Sequence, residues 1–286
     1  MAAPTTDLRL LMAAAIAWLC CVPVAAAADC VTVTSVPYKV RTPGAYCFTR
    51  SLSYAAGNGA AILVLADDVT LDFNGFSLVG TAGPGTFAMG VFADTRRGLT
   101  IKNGRICGFL YGVLLADDES QQWGAGGGHV LRDLRLSGNY FRGIRTEGRG
   151  VVIERCQVSD TGGTTAFDTA VFAFGIEVFG PGARVVSNTI ARTQVADGGE
   201  AVGISVSGGK GILLAGNLIS NETLSTSGAS FGMWVGDGES DFVLDNRFAK
   251  LDYGIVCTSD AALFRDNVTS GVSTPYVGGT DGGNNN

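Results

Sequence analysis

A short pattern recurs eight times along the chain and limits the folds that it can adopt. Each copy has an apolar residue, a polar or small residue three positions later, and usually another apolar residue two positions beyond that. The middle positions follow one another at irregular but bounded intervals: Asn74, Gly104, Leu134, Cys156, Asn188, Asn217, Asn246 and Asn267. Short strands at this spacing cannot each bury an apolar face alone, whereas stacked coils bury a continuous column.

Two further sets of residues keep the same register. Small residues follow each middle position by three: Ser77, Cys107, Ser137, Ser159, Ala191, Ser220, Ala249 and Ser270. A glycine followed by an apolar residue also recurs, at Gly90, Gly112, Gly143, Gly175, Gly203, Gly232 and Gly254. Asparagine at repeated turns accepts left-handed backbone and can bond to the next coil, about 4.8 Å away.

These registers predict an all-β fold, a single-stranded right-handed parallel β-helix (a solenoid) of about eight coils. The long, irregular period and the asparagines argue against the two alternatives, a propeller and a β-sandwich. Hydrophobic residues make up 46% of the chain and charged residues 16%, which excludes a disordered chain. The 42 glycines have no three-residue period, so they indicate turns rather than collagen.

The first coils contain motifs of a known superfamily. Cys30 and Pro37 precede the run Pro-Gly-Ala-Tyr-Cys at 43–47, and Val-Thr-Leu-Asp-Phe-Asn-Gly follows at 69–75. Residues 30–286 thereby resemble the pectate-lyase-like right-handed β-helix superfamily. The resemblance is specific for fold and weak for function, because this superfamily contains lyases, hydrolases, epimerases, phage tailspikes and adhesins.

Four segments are expected. Residues 1–28 have the features of a signal peptide, with Arg9, an apolar run 10–24 and four alanines at 25–28, so we expect a secreted or periplasmic protein with no membrane span after cleavage. Residues 29–60 would form an N-terminal cap, 61–272 the β-helix, and 273–286 a C-terminal tail. Cys30 and Cys47 form either a disulfide of that cap or two free thiols. The net charge of −6 does not favour nucleic acid as a partner.

One outward row predicts a functional surface on consecutive coils. Residues two after each register glycine should face solvent, and they include Arg145, Glu177, Ser205 and Trp234. An indole can stack on a sugar ring and an arginine can hold a uronate carboxylate, which suggests a polysaccharide partner. Alternatively, Arg145 and Glu177 form a plain cross-strand ion pair, and a loop covers Trp234.

An arginine-rich stretch supports an anionic glycan groove on the same face. Six arginines lie between positions 132 and 155: Arg132, Arg135, Arg142, Arg145, Arg149 and Arg155. A polyuronate lyase would need a cation and a base, for which Arg145, Arg142, Tyr140 and His129 are candidates. Substrate would be bound by Trp234, Arg132, Arg149, Ser205 and Asp168.

A hydrolase is less favoured, because it needs two carboxylates about 5 to 10 Å apart. Glu177 with Glu147 or Asp168 is a conceivable pair because these residues come from neighbouring coils, but the motifs of polygalacturonase-like enzymes are missing. No cofactor and no cysteine-type metal site are expected. A calcium site formed by Asp117, Asp118 and Glu119 is possible, but the spacing of residues in the sequence does not give the coordination geometry.

Two functional hypotheses therefore remain. In the first, the protein binds or processes an extracellular or cell-envelope polysaccharide, which the arginines and Trp234 favour. In the second, it is a noncatalytic surface or periplasmic scaffold, which the lack of a clear acid–base pair favours. The oligomeric state and the identity of the glycan are left open.

Overall fold

The structure is a computed structural model, and it describes residues 30–117, 125–167, 172–194, 199–222 and 228–286. The predicted signal peptide, 1–28, lies outside these ranges. In chain order the strands are β1 (Val31–Val33), β2 (Tyr38–Val40), β3 (Gly44–Phe48), β4 (Leu52–Tyr54), β5 (Ala60–Val64), β6 (Val69–Asp72), β7 (Ser77–Gly80), β8 (Met89–Asp94), β9 (Thr100–Cys107), β10 (Tyr111–Ala116), β11 (Val130–Ser137), β12 (Arg142–Glu147), β13 (Val152–Glu154) and β14 (Gln157–Thr161). They continue with β15 (Ala173–Phe179), β16 (Arg184–Val186), β17 (Thr189–Thr193), β18 (Ala201–Ser207), β19 (Leu213–Ala215), β20 (Leu218–Ser220), β21 (Ser230–Val235), β22 (Asp241–Leu244), β23 (Arg247–Ala249), β24 (Tyr253–Cys257), β25 (Ala262–Arg265), β26 (Val268–Ser270), β27 (Thr274–Val277) and β28 (Thr280–Asp281).

These strands stack in two sheets in which every strand pair is parallel, as the predicted all-β right-handed β-helix requires. The smaller sheet runs β2-β5-β8-β10-β12-β15-β18-β21-β24-β27. The larger sheet consists of two rows of strands, here called limbs, which join at β9 and β11. Each of these two long strands pairs with strands of both limbs. The first limb runs from β1 to β28 through β6, β13 and β22, and the second runs from β4 to β26 through β7, β14 and β20.

The described residues form more coils than the sequence repeat indicated. The smaller sheet has ten strands in this part of the chain, against the prediction of about eight coils. The additional strands lie in 30–64 and 274–281, where the repeat is too degenerate to recognise. Their backbone groups nevertheless continue the parallel pairing.

Columns of aliphatic side chains fill the interior between the faces. One column of the smaller sheet consists of Val91, Val113, Ile144, Ile176, Ile204, Met233 and Ile255, all fully buried. Cys257 continues the inward column of Val178, Val206 and Val235, as predicted. Each buried side chain of this size contributes about 1.5–3 kcal/mol, so the stacked columns provide the main stabilisation.

An asparagine ladder runs through the second half of the solenoid. The backbone N–H of Asn188 donates to Asn217 Oδ1 at 3.0 Å, and Asn217 and Asn246 repeat this bond to Asn246 and Asn267 at 2.9 and 3.0 Å. Cys156 ends the ladder, donating its N–H to Asn188 Oδ1 at 2.9 Å. The side-chain amides also donate to carbonyls inside the turns, which satisfies otherwise buried backbone groups.

The register predicted from the sequence is wrong for the first copy of the repeat, at Asn74. Asn74 is exposed with φ of +48°, and it lies opposite Asn103 rather than Gly104. Its coil contains two extra turn residues between Asp72 and Ser77, so Val79 rather than Ser77 pairs with Cys107. The other seven small residues pair in the predicted order.

The register glycines form a column in which successive backbones almost touch. A Cβ at Gly175 would lie 2.7 Å from both the Gly203 carbonyl oxygen and a methyl of Ile190. The same clash with the next coil recurs along the column from Gly90 to Gly254. Glycine is needed here because the backbone of the next coil and a core side chain approach too closely to leave room for a Cβ.

The two ends of the described chain continue the sheets. Cys30 and Cys47 form a disulfide, with Cα atoms 5.8 Å apart. The region expected to be a cap contributes β1 to β4, so its described part, 30–60, is itself a coil of the solenoid. At the other end β27 and β28 pair with β24 and β25, and Asn285 accepts the N–H of Asn267 at 3.0 Å. No helix in the described residues has the length and apolar character needed to cross a membrane.

Candidate functional site

The predicted outward row lies on the outer face of the smaller sheet. Arg145, Glu177, Ser205 and Trp234 are direct neighbours in β12, β15, β18 and β21, each paired in register with the next. We call these four residues the ladder strip. The alternation of side chains along each strand, with the glycine bend before it, places all four on the outside.

Four charged residues at one end of the strip form a mostly buried ion cluster, which consists of Arg142, Arg145, Glu147 and Glu177. Glu177 Oε2 accepts from Arg142 Nε at 2.8 Å and from Arg145 Nη1 at 3.0 Å. Arg145 also bonds Glu147 Oε1 at 2.7 Å through Nε, and Glu147 Oε2 accepts the N–H of Asp117 at 3.0 Å. The two carboxylates offset the two guanidiniums, so the cluster carries no net charge.

Aromatic rings and burial fix this cluster further. The Arg142 guanidinium lies 3.5 Å from the ring centroid of Phe141 and 4.5 Å from that of Phe174, and its Nη1 donates to the Phe172 carbonyl. Burial lowers the pKa of Arg142, and Glu177 opposes that effect. Burial also lowers the pKa of Arg145, but its ion pairs with Glu177 and Glu147 outweigh this, so the net direction is upward.

The cluster leaves little scope for acid–base chemistry by its own carboxylates. Glu177 is only 4% exposed and is held between two guanidiniums, which occupy the lone pairs that a nucleophile or base would use. Glu147 is held by one guanidinium, that of Arg145, and by the N–H of Asp117. The alternative of a cross-strand ion pair between Arg145 and Glu177 is therefore what the geometry shows.

The other end of the strip is apolar and aromatic. Phe231 stacks on Tyr253 with centroids 4.8 Å apart, and Trp234 meets the edge of Phe231 at 5.2 Å. Trp234 and Tyr253 are partly exposed, whereas Ser205 is 9% exposed beside them. Phe174, Val202 and Phe231 form a separate apolar cluster outside the main core.

Phe231 and Tyr253 belong to a second outward row, of which the site prediction named only Arg142. Tyr111, Arg142, Phe174, Val202, Phe231 and Tyr253 pair in register, one residue before each register glycine. The signal was present in the sequence, because an aromatic or apolar residue usually precedes that glycine. We call Phe231, Trp234 and Tyr253 the aromatic end of the strip.

His129 is placed in the interior, away from a catalytic environment. It is 1% exposed, and its Nδ1 accepts the N–H of Leu99 at 3.3 Å. Burial lowers its pKa from 6.5 to about 4, against the opposing effects of Asp117 and Asp67. The neutral ring therefore satisfies a buried backbone donor.

The remaining candidates do not gather at the strip. Arg132 lies on the larger sheet beside Lys102 and Glu154, and Arg149 is exposed in the turn after β12. Tyr140 precedes β12 and is partly exposed, and its backbone N–H bonds Phe109. Asp168 lies outside the described residues.

The arginine-rich stretch is thus divided between faces, contrary to the predicted single groove. Arg142 and Arg145 belong to the smaller sheet, whereas Arg132, Arg135 and Arg155 belong to β11 and the turn after β13 on the larger sheet. The stretch from 132 to 155 covers nearly a whole coil, so its side chains point in several directions.

Metal ligands do not converge in the described part of the chain. No three histidine, cysteine or acidic side chains there lie close enough to hold a metal ion. Of the calcium candidates, Asp118 and Glu119 lie outside the described residues, so that alternative stays a prediction. Cys107, Cys156 and Cys257 are free thiols, and burial raises the pKa of Cys156 to about 12 and that of Cys257 to about 11.

Sequence comparison places the stacked coils in a family. Residues 89–286 match the family described as "right handed beta helix region". The chain belongs to this right-handed β-helix family. The resemblance to the pectate-lyase-like superfamily is thereby confirmed for the fold. No curated protein matches this β-helix chain by sequence.

Comparison with solved structures finds the same architecture. The Dettilon tailspike protein is 12% identical with a TM-score of 0.52, and the alignment covers 90% of this β-helix chain and 59% of the tailspike, less than two thirds of its length. The A-module of a mannuronan C-5 epimerase from Azotobacter vinelandii is 13% identical, with a TM-score of 0.41 and coverage of 89% and 87%. The catalytic domain of a GH87 α-1,3-glucanase in complex with nigerose is 14% identical, with a TM-score of 0.40 and coverage of 90% and 63%. Of these three, the tailspike alignment supports the β-helix fold, and at 12% identity it shows the fold alone.

Proposed function

We propose that this β-helix protein binds a polysaccharide along the ladder strip, with sugar rings stacked on its aromatic end. The observation that carries the proposal is the partly exposed pair Trp234 and Tyr253, held by Phe231 directly beyond the polar part of the strip. Rings fixed in this way present flat apolar faces at little cost in side-chain entropy. Ser205 and the ion cluster provide hydrogen-bonding groups beside them.

The geometry favours binding over turnover. Glu177 and Glu147, the two carboxylates of the ion cluster, are each bound by an arginine, so neither is available as an acid or a base. A more specific version of the proposal is that the bound polysaccharide is a polyuronate. It would require a uronate carboxylate to replace Glu177 or Glu147 on Arg145, and a neutral glycan requires no such exchange.

Export is part of the proposal. A disulfide between Cys30 and Cys47 is typical of oxidising compartments outside the cytoplasm. The predicted signal peptide at 1–28 and a polysaccharide partner are consistent with such a location. The Dettilon tailspike protein shares the fold, which adds a structural context without assigning an activity.

A panel of neutral and uronate polysaccharides tests the proposal. Binding would be measured by affinity electrophoresis, and turnover by reducing ends and by the absorbance of unsaturated uronates. We expect retardation by at least one glycan with no turnover. Turnover that Glu177→Gln abolishes while the protein stays folded would contradict a binding role, and the absence of any binding would favour the scaffold hypothesis.

A further inference from the structure

A surface depression on the larger sheet contains two arginines without acidic partners. It has a volume of about 380 Å³ and is lined by Gly75, Ser77, Asn103, Gly104, Arg105, Asp133 and Arg135. Pockets that bind small molecules start at about 300 Å³. The depression lies on the second limb, whereas the ladder strip lies on the smaller sheet, so the two features are separate.

The two arginines are direct neighbours across strands. Arg105 of β9 pairs in register with Arg135 of β11, and Ser77 of β7 pairs with Arg105 on the other side. Like charges directly opposite each other in a sheet are destabilising. Both side chains are exposed, and within the described part of the chain neither makes an ion pair. The Nη2 of Arg105 donates to Ser137 Oγ at 3.1 Å, which leaves its other donors available.

The nearby carboxylates are already neutralised by other cations. Asp133 is bound through both oxygens by Arg155, at 2.9 and 3.2 Å. Asp72 contacts Lys102 at 3.1 Å and accepts from the Asn103 amide. Two positive charges therefore remain uncompensated at this depression, in a chain with a net charge of −6.

We propose that the Arg105–Arg135 depression is a binding site for an oxyanion group of the sulfate, phosphate or carboxylate type. Arg105 and Arg135 lie on adjacent strands about 4.8 Å apart, and their guanidiniums provide several N–H donors that suit an anion with several oxygens. The Ser77 hydroxyl adds a neutral donor in the same row. An anion bound there removes the repulsion between the two arginines and thereby stabilises the fold.

The test measures thermal unfolding of the full chain in sodium sulfate, sodium phosphate and sodium glucuronate, each compared with sodium chloride at equal ionic strength. Sulfate also stabilises proteins by exclusion from their surface, so the comparison between variants is the decisive reading. The variant is Arg105→Gln with Arg135→Gln. The control is Arg247→Gln, which removes an exposed arginine from the same outward row, where its strand neighbours are Leu218 and Val268.

We expect at least one oxyanion to raise the Tm of the wild type and of the control saturably, by about 2–4 °C beyond chloride. The double variant should lose this increment, and each single variant should retain only part of it. The three anions distinguish a tetrahedral group from a carboxylate. The proposal fails if the increment is the same in the double variant, or if no anion exceeds chloride. Neither outcome affects the ladder strip.

Discussion

At the residue scale, Glu177 illustrates how a site candidate becomes a structural residue once its partners are known. The sequence placed an acid next to Arg145 on an outward row, a pattern shared by active sites and by ion pairs. The structure adds Arg142 as a second guanidinium and shows that Glu177 and Arg142 are almost fully buried. Removing one member of a buried ion cluster leaves an uncompensated charge.

We expect Glu177→Gln to lower the free energy of unfolding by about 3–5 kcal/mol, because Arg142 would remain buried without a carboxylate. Glu239→Gln is the matched control, since Glu239 pairs with Lys210 on the surface, and it should cost less than about 1 kcal/mol. Denaturant unfolding followed by circular dichroism measures both. Unchanged stability of the Glu177 variant would indicate that the cluster is not structural and would revive a catalytic role.

The burial of His129 predicts that the free energy of unfolding depends on pH. Its folded pKa of about 4 is below the ordinary 6.5, so the unfolded chain takes up a proton first as the pH falls. The stabilising contribution of the neutral ring is complete above about pH 6.5 and is lost progressively down to about pH 4, to a total of about 3 kcal/mol.

His129→Asn tests this dependence, because the asparagine oxygen can accept the Leu99 N–H but does not titrate. His129 is the only histidine in the chain, so the difference between the two proteins isolates its contribution. We expect the stability of the wild type to fall relative to the variant between pH 6.5 and 4. Parallel stability curves would show that the ring is not buried in its neutral form.

At the element scale, the turns that hold the asparagine ladder are as important as the strands. Asn217 Oδ1 accepts both the backbone N–H and the side-chain amide of Asn188, and its own amide donates to Val185. Each turn is therefore bonded to the next by groups that cannot reach water. A buried donor that loses its acceptor costs about 1–3 kcal/mol.

Asn217→Ala should lower the free energy of unfolding by about 2–4 kcal/mol, since it leaves buried donors of Asn188 without an acceptor. Asn58→Ala, at an exposed position, should change it by less than about 0.5 kcal/mol. Chemical denaturation provides both values. Equal stability of the two variants would show that the ladder contributes nothing to the fold.

Much of this architecture could be predicted from the sequence, because stacking forces equivalent residues of successive coils into one environment. The glycine column and the ladder from Asn188 to Asn267 were predicted at the right positions for this reason. The prediction failed at Asn74, where two inserted turn residues shift the pairing and no neighbouring copy reveals the shift. It also undercounted the terminal coils, whose strands keep the backbone pairing without the side-chain pattern.

The site was less predictable than the fold. The placement of Arg145, Glu177, Ser205 and Trp234 on one row of the smaller sheet followed from strand alternation, but Glu177 and Ser205 are buried there rather than exposed to solvent. The partners of these side chains could not be predicted from the sequence. An ion cluster depends on the directions of its side chains and on strands that lie a whole coil away in the chain. The prediction placed Arg132 and Arg149 at the site because they are close to Arg142 and Arg145 in the sequence. One coil passes through all faces of the solenoid, so residues close in sequence can lie on different faces.

At the scale of the whole molecule, the solenoid presents two different surfaces. The smaller sheet carries a charge-neutral ion cluster that continues into partly exposed aromatic rings, whereas the larger sheet carries uncompensated arginines at Arg105 and Arg135. Because each coil contacts only its neighbours, these surfaces are built from consecutive coils and keep a fixed spacing. A polymer with a regular repeat is the kind of ligand that such a surface matches.

The affinity of aromatic variants for a glycan found in the panel tests this account most directly. Trp234→Ala and Tyr253→Ala should each weaken binding about five- to tenfold, because each removes a stacking face worth about 1–1.4 kcal/mol. Phe242→Ala is the control, since Phe242 is an exposed ring on the larger sheet, 42% accessible, and it should bind as the wild type does. Loss of affinity in the first two variants alone is the predicted result of calorimetric titration. Wild-type affinity in both, or an equal loss in the Phe242 variant, would show that the ladder strip is not the binding surface.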